Sequence, residues 1–366
     1  MDISDSLYIS LVSALFVVSL AGMAVLGAPG EVDAVNATRA FIGSVADETA
    51  GQDGDRLRTL CLGSGCIPPI DDPSYRPARA VEWLEPGDLV VAVSVNGQDR
   101  AYPLSILRFH GVVNTRIGGT PVAVTYSPYS GVPRVFRRNV SGGVRSFQHS
   151  GQLYNGNMVM QDRETGTRWV QFTGTAIDGR LAGTRLERVD AHIARWGIWR
   201  EDNPAGRVLS RRTGIYSRDR YLDRPYFTYR RSRDAPFSPA DTDIHPKDVV
   251  YGATVNGSAV AYREAHVEAL DIVHDTVGGE PMLVVQDERR DRILAFSREV
   301  GGTTMAFALQ DGRLVDTATG STWTLDGTAV DGPLTGTELR PVPLTRSYWY
   351  TWQRFHPHTG LYHPPA

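Results

Sequence analysis

The sequence predicts a β-rich, α+β fold in which two tandem, pseudo-symmetric β-dominated domains follow one N-terminal transmembrane helix. Three observations predict it. An uncharged apolar run opens the chain, two later stretches repeat the same motifs in the same order, and within each stretch short β-branched runs alternate with Gly-containing turns. A chain of 366 residues is long enough for two domains that each bury a core.

The apolar run, Leu7 to Ala28, reads LYISLVSALFVVSLAGMAVLGA and holds no charge. As a helix it rises roughly 33 Å, enough for a bilayer core of about 30 Å. A cleaved signal segment is the competing reading, but such segments begin with a basic stretch and carry a shorter apolar core. Here the start is acidic, with Asp2 and Asp5. Residues 1–30 are therefore read as an anchor, with residues 7–28 in the membrane as a single pass and the soluble part outside the cytoplasm. Asn36, Asn139 and Asn256 sit in Asn-x-Ser/Thr sequences and would accept glycans in a source that modifies them. Residues 31–74 form a stalk and an extended lead-in ending in Ile67-Pro68-Pro69-Ile70-Asp71-Asp72-Pro73.

The repeat appears at an offset of about 155–160 residues. Asn96-Gly97 and Ala101-Tyr102 return as Asn256-Gly257 and Ala261-Tyr262; Val113 and Gly118-Gly119 return as Val273 and Gly278-Gly279. Farther on, Asp162, Gly166 and Trp169 match Asp316, Gly320 and Trp323. The first copy is bounded as residues 75–210 and the second as 248–366. In each, an apolar run (Leu89 to Val95, Val249 to Val255) is closed by an Asn-Gly pair suited to a tight hairpin. Each then carries one short helix, within Leu104 to Val113 and within Glu264 to Val273. Trp349, Trp352 and Phe355 read as a helix face closing the second core.

A net charge of −3 and a pI near 6.3 give no bulk attraction for nucleic acid, and no nucleic-acid partner is expected. Of 38 cationic side chains only Lys247 is Lys, a bias that a G+C-rich coding sequence explains. The segment 211–247 between the copies is rich in Arg and Tyr, including Tyr216 and Tyr221, and reads as a packing connector. The two cysteines, Cys61 and Cys66, flank Leu-Gly-Ser-Gly, which lets the sulfurs meet in an oxidising compartment; free thiols remain the alternative. A zinc site would need further ligands that the sequence does not place nearby.

The ordered segments IPPIDDP (67–73), AYPLSIL (101–107), VVNTRIGGTPVAVTYSPYSG (112–131) and SGQLYNGNMVMQDRETGTRW (150–169) together resemble the DUF3179 family, a domain of unknown function. The resemblance runs from about residue 67 to the end. Family members read Thr-Tyr-Cys-Pro-x-[Cys/Thr]-Gly where this chain has Thr125-Tyr126-Ser127-Pro128-Tyr129-Ser130-Gly131. Paired thiolates at that spacing would bind soft metals or exchange disulfides, whereas hydroxyls do neither. The resemblance thus implies a decayed cysteine site. No cofactor or metal is expected, and the closing His356, His358 and His363 lack a following carboxylate.

The first copy carries the richer polar set, and His110, Asn114, Tyr126, Ser127, Ser130, Asn155, Asn157 and Asp162 are its ligand-binding candidates. Asn155 and Asn157, two apart, would share one face of a strand. Ser127 as a nucleophile would need a base, for which His110 and His149 are the candidates. The reading is a non-catalytic binding or scaffold protein, with a protein or small ligand as partner. An enzyme using the polar cluster, or a subunit of a membrane or cell-surface assembly, are the alternatives. A concave pocket lined by Ser127, Ser130, His110 and Asn157 would favour the enzyme; burial in satisfied turns would count against it.

Overall fold

The structure is a computed structural model describing residues 56–222, 232–233, 235–236 and 244–364. The expected membrane segment 7–28 and part of the connector lie outside the described residues. Among the described residues no helix is long and apolar enough to cross a membrane.

Short strands in open sheets dominate, with four α-helices among the described residues: Leu104–His110, Trp196–Asp202, Glu264–Leu270 and Trp349–Phe355. One sheet runs in the order Ala191–Arg195, Leu89–Val95, Gln98–Pro103, Arg207–Leu209, with Tyr75–Pro77 added at its edge. Another, far along the chain, runs Thr345–Tyr348, Val249–Val255, Ser258–Arg263, Gly360–Leu361. In both, the third strand pairs with the fourth in parallel and the other pairings are antiparallel. The meander Val112–Ile117, Thr120–Ser127, Val132–Arg137 likewise recurs as Ile272–Val277, Glu280–Asp287, Arg292–Ser297.

The local chemistry explains the recurrence. Asn96 and Gly97 both take positive φ (49° and 71°), as do Asn256 and Gly257 (49° and 83°), which is the backbone a two-residue hairpin turn demands. Asn96 Nδ2 also donates to Gly118 O (2.8 Å), and Asn256 Nδ2 to Gly278 O (3.1 Å), so each hairpin tip clasps the next. A Cβ at Gly118 would lie 2.5 Å from Val95 O, and one at Gly278 2.4 Å from Val255 O, so neither site admits a side chain.

Strand Leu89–Val95 is covered on both faces. Val91, Val93 and Val95 enter one apolar cluster with Tyr102, Ile106 and Val124, while Val90 and Ala92 enter another with Trp196 and Trp199. A further cluster joins the two copies: Val132, Val170 and Phe172 pack with Val250, Ala261, Trp349 and Trp352. Phe172 stacks on Phe355 with ring centroids 4.1 Å apart. The aromatic helix face expected to close the second core therefore also caps the first copy. It does so because Val170, at the end of strand Arg168–Val170, and Phe172, in the turn that follows, present apolar surface to Trp349, Trp352 and Phe355.

Candidate functional site

The Ser127–Gly131 loop connects two antiparallel strands. Gly131 N donates to Ser127 O (2.8 Å), and Ser130 Oγ lies 3.4 Å from the same carbonyl. Ser127 and Ser130 are both wholly buried, and so is Asn157 beneath them. Asn157 Nδ2 donates to Ser130 Oγ (2.9 Å) and Gln171 Oε1 (2.7 Å), and its Oδ1 accepts from Phe172 N (2.8 Å). Gln171 Nε2 passes the network on to Thr125 Oγ1 (2.9 Å) and Val132 O (3.1 Å), while Met158 N donates to Ser127 Oγ (3.3 Å). Every member has a partner, as a buried polar network requires.

The second copy closes this loop from outside. Tyr348 N donates to Ser130 O (2.8 Å), and the Tyr350 hydroxyl donates to Tyr129 O (2.7 Å). Burial pushes the Tyr129 phenol well above its ordinary range. A Cβ at Gly156, which has φ 78°, would sit 2.5 Å from the Tyr350 ring, so the close approach of the two copies depends on that glycine.

The remaining candidates separate. His110 Nδ1–H donates to Pro68 O (2.8 Å), which leaves Nε2 to accept from the Tyr221 hydroxyl (2.7 Å). Burial lowers its pKa to about 4, so the ring is neutral at pH 7 with both nitrogens engaged. His149 is also lowered to about 4 by burial, and its Nδ1 accepts from Gly151 N (2.8 Å). Neither imidazole is hydrogen-bonded to Ser127. Asn114 ties Asp71 Oδ1 (2.8 Å) to the backbone of Phe147, and Tyr126 lies in the apolar core.

Asn155 and Asn157 do not share a strand face. Asn155 has φ 50° and forms the turn with Gly156, where its Nδ2 reaches Arg354 O (3.2 Å), while Asn157 begins the next strand. Asp162 brackets its own turn, accepting from Thr165 N (2.7 Å) and Trp169 Nε1 (2.9 Å). Asp316 does the same with Thr319 N (2.6 Å) and Trp323 Nε1 (3.1 Å), which identifies the motif as turn chemistry common to both copies. Cys61 and Cys66 are joined as a disulfide with Cα atoms 6.2 Å apart. Their loop lies along strand Phe147–Tyr154 through Leu60 N to Gly151 O and Gly65 N to His149 O, both 2.8 Å.

In the second copy the loop equivalent to Ser127–Gly131 is Asp287–Asp291. The Asp287 carboxylate accepts from Arg290 N (3.1 Å) and from the Arg292 guanidinium (3.2 Å). Asp291, with φ 55° in the place of Gly131, accepts from Arg195 N (3.0 Å), and its carboxyl pKa is raised by burial. Arg195 and Tyr348 end equivalent strands, so each copy presents its loop to the same position of the other.

A cavity of about 490 Å³ opens between the copies. Leu104, Arg108 and Ile193 face it from one side, and Glu264, Glu268 and Arg346 from the other. These are equivalent positions: first and fifth in the helices Leu104–His110 and Glu264–Leu270, and facing Val91 or Tyr251 across the sheet. Arg346 is only 8% exposed and pairs with Glu264 (3.4 Å). Sequence reasoning missed this cluster. The available signal was that three aligned pairs had diverged in charge while the motifs around them held. Among the described residues no group of three or more His, Cys, Asp or Glu side chains is placed to hold a metal ion.

Together these features define an open-sheet, β-rich protein with a recurring element order, in which each copy's strand-end loop is docked on the other copy. The chain belongs to the DUF3179 family (Protein of unknown function), whose profile matches residues 64–359. No curated protein and no solved structure matches it.

Proposed function

We propose that this protein is a non-catalytic binding or scaffold protein. Two β-dominated domains, residues 75–210 and 248–366, would be displayed outside the cytoplasm on a membrane anchor formed by residues 7–28. One observation carries the non-catalytic part: the segment that holds cysteines in the family is here a pair of wholly buried serines whose hydrogen bonds are satisfied and whose outer face is covered by Tyr348 and Tyr350. A nucleophile needs an accessible position, a base and an oxyanion site. Ser127 has no imidazole bonded to it, and both candidate histidines are held elsewhere. The anchor reading is supported by the length and the uncharged character of Leu7 to Ala28.

The test is the Ser127→Cys/Ser130→Cys variant. The expected result is that both thiols react with a maleimide only as fast as the protein unfolds, and that the folded variant gains no soft metal. Rapid labelling of the folded protein, or stoichiometric metal uptake, would show an open site and overturn the reading.

A further inference from the structure

Three arginines of the first copy converge on one turn with no acid among them. Arg134 Nε (3.3 Å) and Arg188 Nη2 (2.9 Å) donate to Phe172 O, while Arg185 Nε (3.3 Å) and Arg188 Nη2 (3.4 Å) donate to Thr173 O. Arg134 also reaches Pro133 O (3.1 Å) and Thr345 Oγ1 (2.9 Å), so every acceptor is neutral. Among the described residues none of the three forms an ion pair with a carboxylate. Burial and then the Arg188 charge lower the Arg134 pKa to about 9, and burial and then Arg185 lower that of Arg188. Each of the two therefore meets a like charge, and Arg134 is still cationic at pH 7. The Arg185 Nη atoms and Arg188 Nε and Nη1 make no hydrogen bond within the described residues, and both side chains are exposed.

The second copy treats the same turn differently. Arg134, Arg185 and Arg188 correspond to Leu294, Glu338 and Pro341. The matching pairs are Thr125 with Arg134 and Val285 with Leu294, Thr175 with Arg185 and Thr328 with Glu338, and Phe136 with Arg188 and Phe296 with Pro341. The same architecture is thus built there without these cations. Thr173, just before Gly174, corresponds to Asp326, just before Gly327. Asp326 accepts from Arg290 (2.6 Å) and Arg292 (2.8 Å). Where the second copy gathers two arginines it supplies a carboxylate; the first gathers three and supplies none.

From this arrangement we infer that Arg134, Arg185 and Arg188 bind a phosphate group, as the free ion or as a phosphomonoester, in place of the missing carboxylate. A guanidinium presents a planar fork of donors that matches phosphate oxygens. A phosphomonoester carries a charge of about −1.5 to −2 at pH 7 and three acceptor oxygens, one for each arginine. A carboxylate, with one charge and two oxygens, would leave the cluster under-compensated. The inference rests on the binding reading above and names the ligand class for it.

The test is calorimetric titration of the full chain in neutral detergent micelles, at about pH 8 and fixed ionic strength, with inorganic phosphate and with 4-nitrophenyl phosphate. Acetate is the single-charge control. Saturable binding of at least one phosphate probe is expected, weakened about tenfold or more for acetate, as loss of a charge-assisted hydrogen bond implies. Binding of inorganic phosphate alone identifies the free ion as the ligand, and binding of the monoester identifies a carried group; either supports the site. Arg185→Gln and Arg188→Gln, at exposed positions, should fold normally and each lose about tenfold in affinity. Arg313→Gln, at an exposed position of the second copy, should change nothing. Thr173→Asp, which supplies the second copy's carboxylate, should lose at least as much as either arginine variant. Absence of saturable binding by both phosphate probes overturns the inference, as does equal binding of acetate or unchanged affinity in folded Arg188→Gln. Release of 4-nitrophenolate separates the two readings. Turnover would leave the site standing and overturn the non-catalytic function, whereas intact ester with no binding would overturn only the ligand assignment.

Discussion

The loops Ser127–Gly131 and Asp287–Asp291 occupy equivalent places in the recurring fold, yet they are held in opposite ways. The first carries no charge and is sealed by backbone hydrogen bonds, tyrosines and an internal amide network. The second is held by ions: Arg290 and Arg292 both reach Asp326 (2.6 and 2.8 Å), and Asp291 accepts from Arg195 N. One loop behaves as core and the other as a partly solvated ion cluster. The contrast teaches that the same docking geometry can be kept by burial or by charge, and that only the buried version removes the position from chemistry.

The largest expected effect falls on the shared core. Trp352→Ala should lower unfolding stability by about 3–5 kcal/mol, the range for large-to-small changes at buried aromatics. Denaturant unfolding should shift its midpoint and remain a single transition, because Trp352 belongs to the cluster that joins Phe172 and Val170 to Val250. A split into two transitions would show that the copies hold separate cores, and the comparison of docked loops would lose its basis.

Acid should act next. His110 and His149 are both held at about 4, below the ordinary value near 6.5, so the unfolded chain binds more protons than the folded one between those limits. Stability attributable to them is complete above pH 6.5 and is lost as pH falls towards about 4, on the order of 3 kcal/mol for each group. Unfolding curves at pH 7, 5.5 and 4 check this. In His110→Gln the slope should be shallower, and an unchanged slope would remove His110 from the account.

The smallest effects draw the comparison most finely. Asn157 and Arg313 each begin the strand after an Asn-Gly or Asp-Gly turn, but Asn157 is wholly buried and Arg313 is exposed. Asn157→Ala removes the acceptor of the Phe172 amide and the donor to Gln171 Oε1, and should cost about 1–3 kcal/mol. Arg313→Ala should stay within about 0.5 kcal/mol. Equal losses would mean that the network under Ser130 adds nothing to the sealing of the first loop.

Much of the fold was legible because it is written in short-range chemistry. The Asn-Gly turns after Val95 and Val255 need left-handed backbone, and the helices at Leu104 and Glu264 lack turn residues, so both features show in any window of ten residues. The docking of Tyr350 on Tyr129 and of Phe355 on Phe172 joins positions roughly two hundred residues apart, and no local pattern announces it. The site divided in the same way. The serine loop was found by its resemblance to a cysteine motif, but its closure depends on Tyr348 and Tyr350 of the other copy. Asp162 looked like a ligand because it is an acid in a polar segment, whereas its bonds to Thr165 and Trp169 are a turn motif that Asp316 repeats. The cavity was overlooked because Leu104 and Glu264, or Ile193 and Arg346, are unremarkable singly and become informative only as equivalent, opposed pairs.

The closure of the serine loop is tested most directly by amide hydrogen exchange at Tyr348, whose N–H donates to Ser130 O across the junction. The account predicts protection equal to that of the core strands, with exchange only through global unfolding. Exchange at the rate of an open surface, while the Leu89–Val95 strand stays protected, would contradict it.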